Sequence, residues 1–537
     1  MPVFKLNEIG NAYYRGNYIN RIYNGNSLAW SNDGLPPTDI PDKPPEPEIP
    51  TDEPNYRIMN LKTDFGASGN GNTDDFNALK QALVHSTTEP IKLIIPSGNY
   101  RLKGGTNERL ESWPAQSKGL IIEGENATLL PEHNRNYSNH EHYTFQIEGD
   151  GSANSYFALR GVKIDGSRNS KPWHVNRNGE GLPAGDIKIT RGIQVNQFRK
   201  VVIESNEFKD LYGGYCAMVS NYDVAHLTDN YYNNIGGNNY TESFGMAIYL
   251  GGADGNAHAI LTRERMYGAN NPSDPEQMAW IAVVHENGTV QNDDLNTWDR
   301  DANTRIDMID CEMVNFETAF HSESQAGNVY VNIDGGFSEC IDFGIYAGIW
   351  GEIKARVNRH RIDLLGYHGR GGFIQGLHYT EREVAKNRSG LNDVRFYNCE
   401  VNYPTNSNIE YVDYATTPFG KRYNYYEVAV TLGDEAVARL YNCTLNNVPY
   451  QLVRNASAIF HNSHINKAQN NSMNATSIKG AMNFASNRVE YHNTPINNFG
   501  AWKTASLMAD PPLVDNTGYV PEPMMKPIAA AKLEQNA

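Results

Sequence analysis

The sequence is poor in several features that would have fixed a function class. Five cysteines scattered through 537 residues are too few, and odd in number, for a disulfide framework. Basic residues are outnumbered, 46 Lys and Arg against 62 Asp and Glu. A net charge of −16 therefore gives no footprint for nucleic acid and no basic patch for a membrane surface. No apolar run approaches the roughly eighteen residues of a transmembrane helix, so no membrane insertion is expected. The opening MPVFKLNEIGNAYYRG lacks the basic-then-apolar pattern of a secretory signal. Zinc-ligand spacing, a phosphate loop and a nucleophile elbow are all missing, and His140-Glu141-His142 resembles a metal site only superficially. Neither a metal nor a cofactor is expected.

What is abundant is turn chemistry. There are 64 Asn, 47 Gly and 32 Tyr, and Asn and Gly favour tight turns and left-handed backbone. Many short strands joined by many turns is the first expectation. Residues 1–34 hold a small echo, Tyr14-Arg15-Gly16-Asn17 and Tyr23-Asn24-Gly25-Asn26, in which the Gly-Asn pairs read as hairpin turns. Residues 35–55 follow as a linker: Leu35 to Pro54 contains eight Pro and six acids against one Lys, which favours an extended spacer. Residues 56–497 form the main body. Near its start, Thr73 is the expected N-cap of a helix whose apolar stripe is Phe76, Leu79 and Leu83, with Asp74 and Asp75 at its positive end. Residues 498–537 turn Pro-rich and read as a tail that clasps a trimer.

Within the main body one pattern recurs: an apolar residue, two variable ones, a small polar residue, one variable, then an apolar residue. It occurs in IESNEF, LTDNYY, MIDCEM, FYNCEV, LYNCTL and FHNSHI, aligning Asn206, Asn230, Cys311, Cys399, Cys443 and Ser463, with Thr494 last. The shortest spacings, 20 and 24 residues, suit one coil of a solenoid made of three short strands. The small residues would then stack as an inward ladder at one corner, which assigns three cysteines to packing. The fold expected is all-β, a right-handed single-stranded parallel β-helix.

The run from Asp64 to Asp75 (DFGASGNGNTDD), the helix after it, and Ile95-Pro96-Ser97-Gly98-Asn99-Tyr100 resemble the opening of pectate-lyase-superfamily β-helices, which include bacteriophage tailspikes and capsule depolymerases. Asn70 stands where that family usually has Asp. The resemblance implies a homotrimer in the virion tail. Residues 1–34 would attach it to tail or baseplate proteins, and a host surface polysaccharide would bind along the helix.

Coils stack about 4.8 Å apart, so carboxylates on neighbouring coils come within about 5 Å and those two coils apart within about 9.6 Å, the separations used by retaining and inverting glycosidases respectively. In Phe320-His321-Ser322-Glu323-Ser324, the ladder register puts Ser322 and Ser324 inside and His321 and Glu323 outside. Glu323 with Glu286 or Asp342, assisted by His321, is the expected catalytic set. Tyr346, Trp350, Trp173, Tyr411, Tyr414 and Tyr423 are expected to stack on sugar rings, several of them on insertions such as 167–190, 271–300 and 403–426 that would wall a groove. A second chemistry stays open. Arg359, Arg361 and His378 lie in a basic stretch and, with Tyr346, could serve a lyase that removes the C5 proton of a uronic acid; alternatively His360 is interior and the arginines are surface charges. The function expected is binding and depolymerising host polysaccharide, by hydrolysis more than by β-elimination. A non-enzymatic receptor-binding tail protein is the rival from another class.

Overall fold

The computed structural model describes short strands between residues 12 and 31 and, with interruptions, residues 56–497; segments 32–55, 105–115, 133–142, 170–190, 237–244, 288–302, 377–392, 404–427, 468–482 and 498–537 lie outside the described residues, as do shorter gaps. In the amino-terminal part, Ala12–Tyr14 pairs antiparallel with Asn17–Ile19, and Arg21–Asn24 with Ser27–Ser31. Tyr14 faces Asn17 and Asn24 faces Ser27, so each pairing coincides with one copy of the echo.

From Arg57 onward the chain is a parallel β-helix. A representative coil runs through Lys200–Glu204, Glu207–Lys209 and Tyr215–Ser220, and the next repeats it as Val224–Thr228, Tyr231–Ile235 and Met246–Gly251. Like strands pair parallel and in register, giving three ladders, here called sheets I, II and III in that chain order. Alternate residues of sheet I point inward and form a continuous core column from Met59 through Leu159, Leu227 and Val357 to Tyr491. Aromatic rings stack between coils in the interior, Phe208 on Tyr232 at 5.0 Å in sheet II and Phe460 on Tyr491 at 5.3 Å in sheet I.

The helix covers the first coil. It spans Phe76–His85 and buries Phe76, Leu79 and Leu83, the expected stripe, but starts later than expected. Thr73 lies in the strand Asn70–Asp74, and Asp75 is the N-cap. The Asp75 carboxylate reaches back instead of capping, accepting the amides of Ser68 and Gly69 at 2.6 and 2.9 Å, while Asp74 accepts those of Phe76 and Lys103. Asn70 does the work of the usual Asp: its Oδ1 accepts the Asn72 and Thr73 amides, and its Nδ2 adds a bond to the Thr73 hydroxyl that Asp could not donate.

The corner between sheets I and II explains the repeat. Ser205, Asp229, Arg263, Asp310, Arg359, Asn398, Asn442, Asn462 and Asn493 all take left-handed backbone, φ 46° to 55°. Each swings the following residue inward, and Asn206, Asn230, Cys311, Cys399, Cys443, Ser463 and Thr494 are all buried there. Asn206 donates its backbone N–H and its Nδ2 to Asn230 Oδ1, both at 3.0 Å, and Asn230 Nδ2 donates to Ile203 O at 2.7 Å. At the far end Cys443 N–H donates to Ser463 Oγ and Ser463 N–H to Thr494 Oγ1. Two charged-type residues join the ladder, Glu264 and His360, and all five cysteines are buried and free. Asn230→Ala would leave the Asn206 amide and the Ile203 carbonyl unpaired in the interior. The expected loss is about 3 kcal/mol, read from the shift in urea midpoint at constant slope.

Candidate functional site

Sheet III builds the strongest cluster. Its inward positions are packed by Ile248, Val283 and Phe320, and two residues along the same strands by His285 against Ser322 (Nδ1 to Oγ 2.9 Å). Burial pushes the His285 imidazole down to about 3, with His321 adding to the effect, so His285 is a neutral interior group. Its neighbour Glu286 is half-buried on the opposite side of the strand.

The register around Glu286 is Gly251, Glu286, Glu323 on three successive coils. Neighbouring strand positions are about 4.8 Å apart. Gly251 is required there: a Cβ at that position would fall 2.2 Å from the Tyr249 ring. With nothing in the way, the Tyr249 phenol lies across Gly251 and donates to Glu286 Oε2 at 2.7 Å. Burial first, then the Glu286 carboxylate, hold the Tyr249 phenol far above its ordinary range, so it keeps its proton and stays a donor.

An aromatic and cationic strip continues from Tyr249 toward the helix cap. Tyr215 packs on Tyr249 at 4.6 Å, the Arg191 guanidinium sits 5.9 Å from the Tyr215 ring and 5.3 Å from that of Tyr143, and the Tyr143 hydroxyl donates to Met218 Sδ. Met246, Ile281 and Val284 form an apolar patch apart from the main core, against which Tyr215, Tyr249 and Trp280 all pack; the Trp280 ring lies 6.4 Å from His321. The arrangement is a carboxylate pair position at one end of a ridge of rings that follows the helix axis, which suits an extended sugar chain.

The expected site residues distribute as follows. Glu286 and Glu323 are brought to adjacent register positions; His321, expected to face outward, lies two residues before Glu323 on the same strand and is instead buried beside Trp280. Asp342 is separated from them. It precedes Phe343, the partner of Thr318, and so lies level with residue 317, six strand positions or about 20 Å from Glu323. An extra residue between the pairs Phe316–Cys340 and Thr318–Phe343 puts it beside a bulge. Tyr346 is on the strand Phe337–Ala347, in the column next to His321. Arg359 and Arg361 do not meet it: Arg359 is at the sheet I–II corner, bound to Asp334 at 2.8 Å, and Arg361 is on sheet II, bound to Asp363 at 2.8 Å. His360 is interior, held by Gly335 O and Ser338 Oγ, so the left-handed corner at Arg359 splits the basic stretch over three directions. Trp173, Trp350, His378, Tyr411, Tyr414 and Tyr423 lie outside the described residues, as do most of the three expected insertions, although Asp274–Asn287 of the 271–300 stretch is strand. Tyr249, Gly251, Tyr215, Arg191 and Tyr143 were not legible as site residues. Their one linear signal is Tyr-x-Gly preceding His285-Glu286 by a coil.

Among the described residues no cluster of three His, Cys, Asp or Glu could hold a metal ion, and no helix is long and apolar enough to cross a membrane. Residues 58–248 match the family described as rhamnogalacturonase A/epimerase, pectate lyase-like. No curated protein sequence matches the chain. Solved structures with a similar trace include PfbA, a surface adhesin of Streptococcus pneumoniae (12% identity, TM-score 0.46, covering 82% of this chain and 90% of that one). ORF18 of Geobacillus virus E2 is also similar (12% identity, TM-score 0.39, 76% of this chain), and this chain spans 61% of its length. A double mutant of the tailspike protein of E. coli bacteriophage HK620 is a third (10% identity, TM-score 0.35, 82% of this chain and 78% of that one).

Proposed function

From a parallel β-helix whose residues 58–248 are pectate-lyase-like, we propose that this protein is a phage tailspike that binds host surface polysaccharide and shortens it by hydrolysis. The observation that carries the reading is the register pair Glu286 and Glu323, with Tyr249 fixed on Glu286. Glutamates on register positions about 4.8 Å apart suit a retaining double displacement. Glu286, oriented by a phenol donor, serves as the nucleophile, and Glu323 protonates the leaving oxygen and then activates water. The Tyr249–Tyr215–Arg191–Tyr143 ridge holds sugars on one side of the cleavage point by stacking and hydrogen bonding.

The amino-terminal hairpins and the acidic Pro-rich linker support an attachment role for residues 1–34, with the β-helix projecting outward as a homotrimer. The test is to incubate the purified protein with capsule, exopolysaccharide and lipopolysaccharide from candidate hosts, following chain length, anomeric configuration and ultraviolet absorbance together. Shortening with retained configuration and no new absorbance is expected. Shortening with a new absorbance would mean an unsaturated product and a lyase. Tight binding to the true host polymer without shortening would leave an adhesin.

A further inference from the structure

The outer face of sheet I carries four titratable or charged side chains that are nonetheless buried. His226, His258, Arg305 and Asp307 alternate along their strands with the core residues Ala225, Leu227, Ala259 and Ile306, so they stand on the outer side of the sheet. His258 and Arg305 are register partners, and His226 and Asp307 lie on either side of Ile260 in the next outer column. The Asp307 carboxylate gathers the group. Its Oδ2 accepts from His258 Nε2 at 2.6 Å and lies 2.8 Å from Arg305 Nε, and its Oδ1 accepts from Arg305 Nη2 at 3.1 Å and from Asn332 Nδ2 at 2.9 Å. Burial alone would raise this carboxyl, but the bonds from His258 and Arg305 outweigh it and hold it down at about 2.

An ionised carboxylate can only accept, so His258 Nε2 carries a proton and the neutral ring keeps its lone pair on Nδ1. That atom has no partner among the described residues and is not sealed from water. Diagonally across the sheet His226 is 8% exposed, and its Nε2 is buried without a partner. Burial first, then the nearness of His258, pushes the His226 imidazole down, so it too is neutral. A network kept for stability satisfies each member, since an unpaired buried group costs about 1–3 kcal/mol. This one satisfies the carboxylate and leaves a nitrogen open on each imidazole. We propose that His258, oriented by Asp307, is the general base of a second catalytic centre, separate from Glu286, that hydrolyses acyl esters carried on the sugars of a polysaccharide. A neutral imidazole suits esters and not glycosidic bonds, because acetals resist base and need an acid. Elimination from a uronic acid would need a cation for its carboxylate, and Arg305 turns its Nε and Nη2 to Asp307. In the reaction His258 Nδ1 takes a proton from water as the water oxygen bonds to the acyl carbon and the carbonyl π pair moves onto its oxygen. That oxygen meets the Nε2–H of His226, whose ring turns toward it. As the intermediate collapses, the bond from the acyl carbon to the sugar oxygen breaks, and the sugar oxygen receives the proton from Nδ1. The products are a carboxylic acid and a free hydroxyl.

The inference rests on the proposed function only in taking the esters to be carried on a polysaccharide. Its test uses the full chain with para-nitrophenyl acetate, acetylated xylan and polygalacturonate, reading released acetate from the two esters and ultraviolet absorbance of the uronic-acid polymer. The wild type is expected to release acetate from both esters and to leave the polygalacturonate absorbance unchanged. His258→Gln keeps a donor for Asp307 and should lower acetate release about 10²-fold or more, with Tm near wild type. Asp307→Asn loses its hold on the tautomer: kcat should fall with KM unchanged, and the nitrogen NMR signals of the His258 ring should pass from one tautomer to a mixture. No acetate release by the wild type from either ester, or release that survives His258→Gln, overturns the proposal. New absorbance from polygalacturonate that depends on His258 overturns the assignment to esters and makes His258 the base of an elimination. Should His258→Gln fail to fold, carbethoxylation of the wild-type chain decides: acetate release must be lost as His258 is modified and return with hydroxylamine, and release that persists overturns the proposal. Acetate release without any host-polymer shortening leaves this centre standing and sinks the hydrolase of sheet III, and the reverse pattern sinks this centre alone.

Discussion

Glu286→Gln is expected to lower the rate of polysaccharide shortening by about 10²–10⁴-fold, the range for removing a group that acts on the reacting atoms. The amide keeps an oxygen for the Tyr249 phenol, so Tm and polymer affinity should stay near wild type. Glu323→Gln should show a loss of similar size that shrinks for substrates with good leaving groups, since an acid matters least when the departing oxygen is already stable. Tyr249→Phe leaves both carboxyl groups in place and removes only the orienting bond, so a smaller loss confined to kcat is expected. Activity that survives Glu286→Gln with unchanged kcat would remove sheet III from the chemistry altogether.

Glu264→Gln should raise stability, and by an amount that depends on pH. Burial pushes the Glu264 carboxyl up to about 8 from its usual 4.5, against the pull of the Asn230 amide and side chain that donate to it. The folded chain thus holds this proton more tightly than the unfolded chain does. The stability it contributes is complete below about pH 4.5, falls as pH rises between the two values, and is gone above about pH 8. Over that window the loss is on the order of 4–5 kcal/mol. A glutamine keeps the acceptor oxygen for Asn230 and has no proton to lose. The variant and the wild type should therefore be alike near pH 4.5 and diverge progressively by about pH 8, as followed by denaturant unfolding at fixed steps of pH. Parallel curves would mean that the ladder accommodates a charged glutamate.

Glu264 also marks where the sequence stops being legible. Asn206, Asn230, Cys443 and Ser463 could be aligned because a small polar residue recurs between apolar neighbours at a coil-length spacing. Leu261-Thr262-Arg263-Glu264-Arg265-Met266 has the same frame, but a charged residue at the buried position hides it. The β-helix itself was readable because every coil repeats the same turn chemistry. The pairing of Glu286 with Glu323 rested on recognising that both follow the same strand. Asp342 failed because linear reading does not give the coil offset, which pairs Phe343 with Thr318 and so sets Asp342 well before Glu323 along the strand. Register across distant coils was out of reach for a different reason. Arg356, Arg395 and Arg439 are about forty residues apart, and only the pairing of Val357 with Phe396 and of Phe396 with Leu440 brings them into line. The cluster that linear reading did single out, Arg359 to Arg361, is scattered by the left-handed corner at Arg359.

The parallel ladder also implies an order of assembly. Each coil bonds only to the coil before and the coil after, and the strands it meets are a few tens of residues away in the chain. A growing polypeptide can therefore complete one rung as soon as its residues emerge, using the finished rung as a template. Growth has a direction because the helix Phe76–His85 seals the starting end, leaving one live edge that moves toward the carboxyl terminus. A chain halted partway would present that edge to its neighbours, and the remedy built into the fold is speed of addition: the next partner strand is always the next one made.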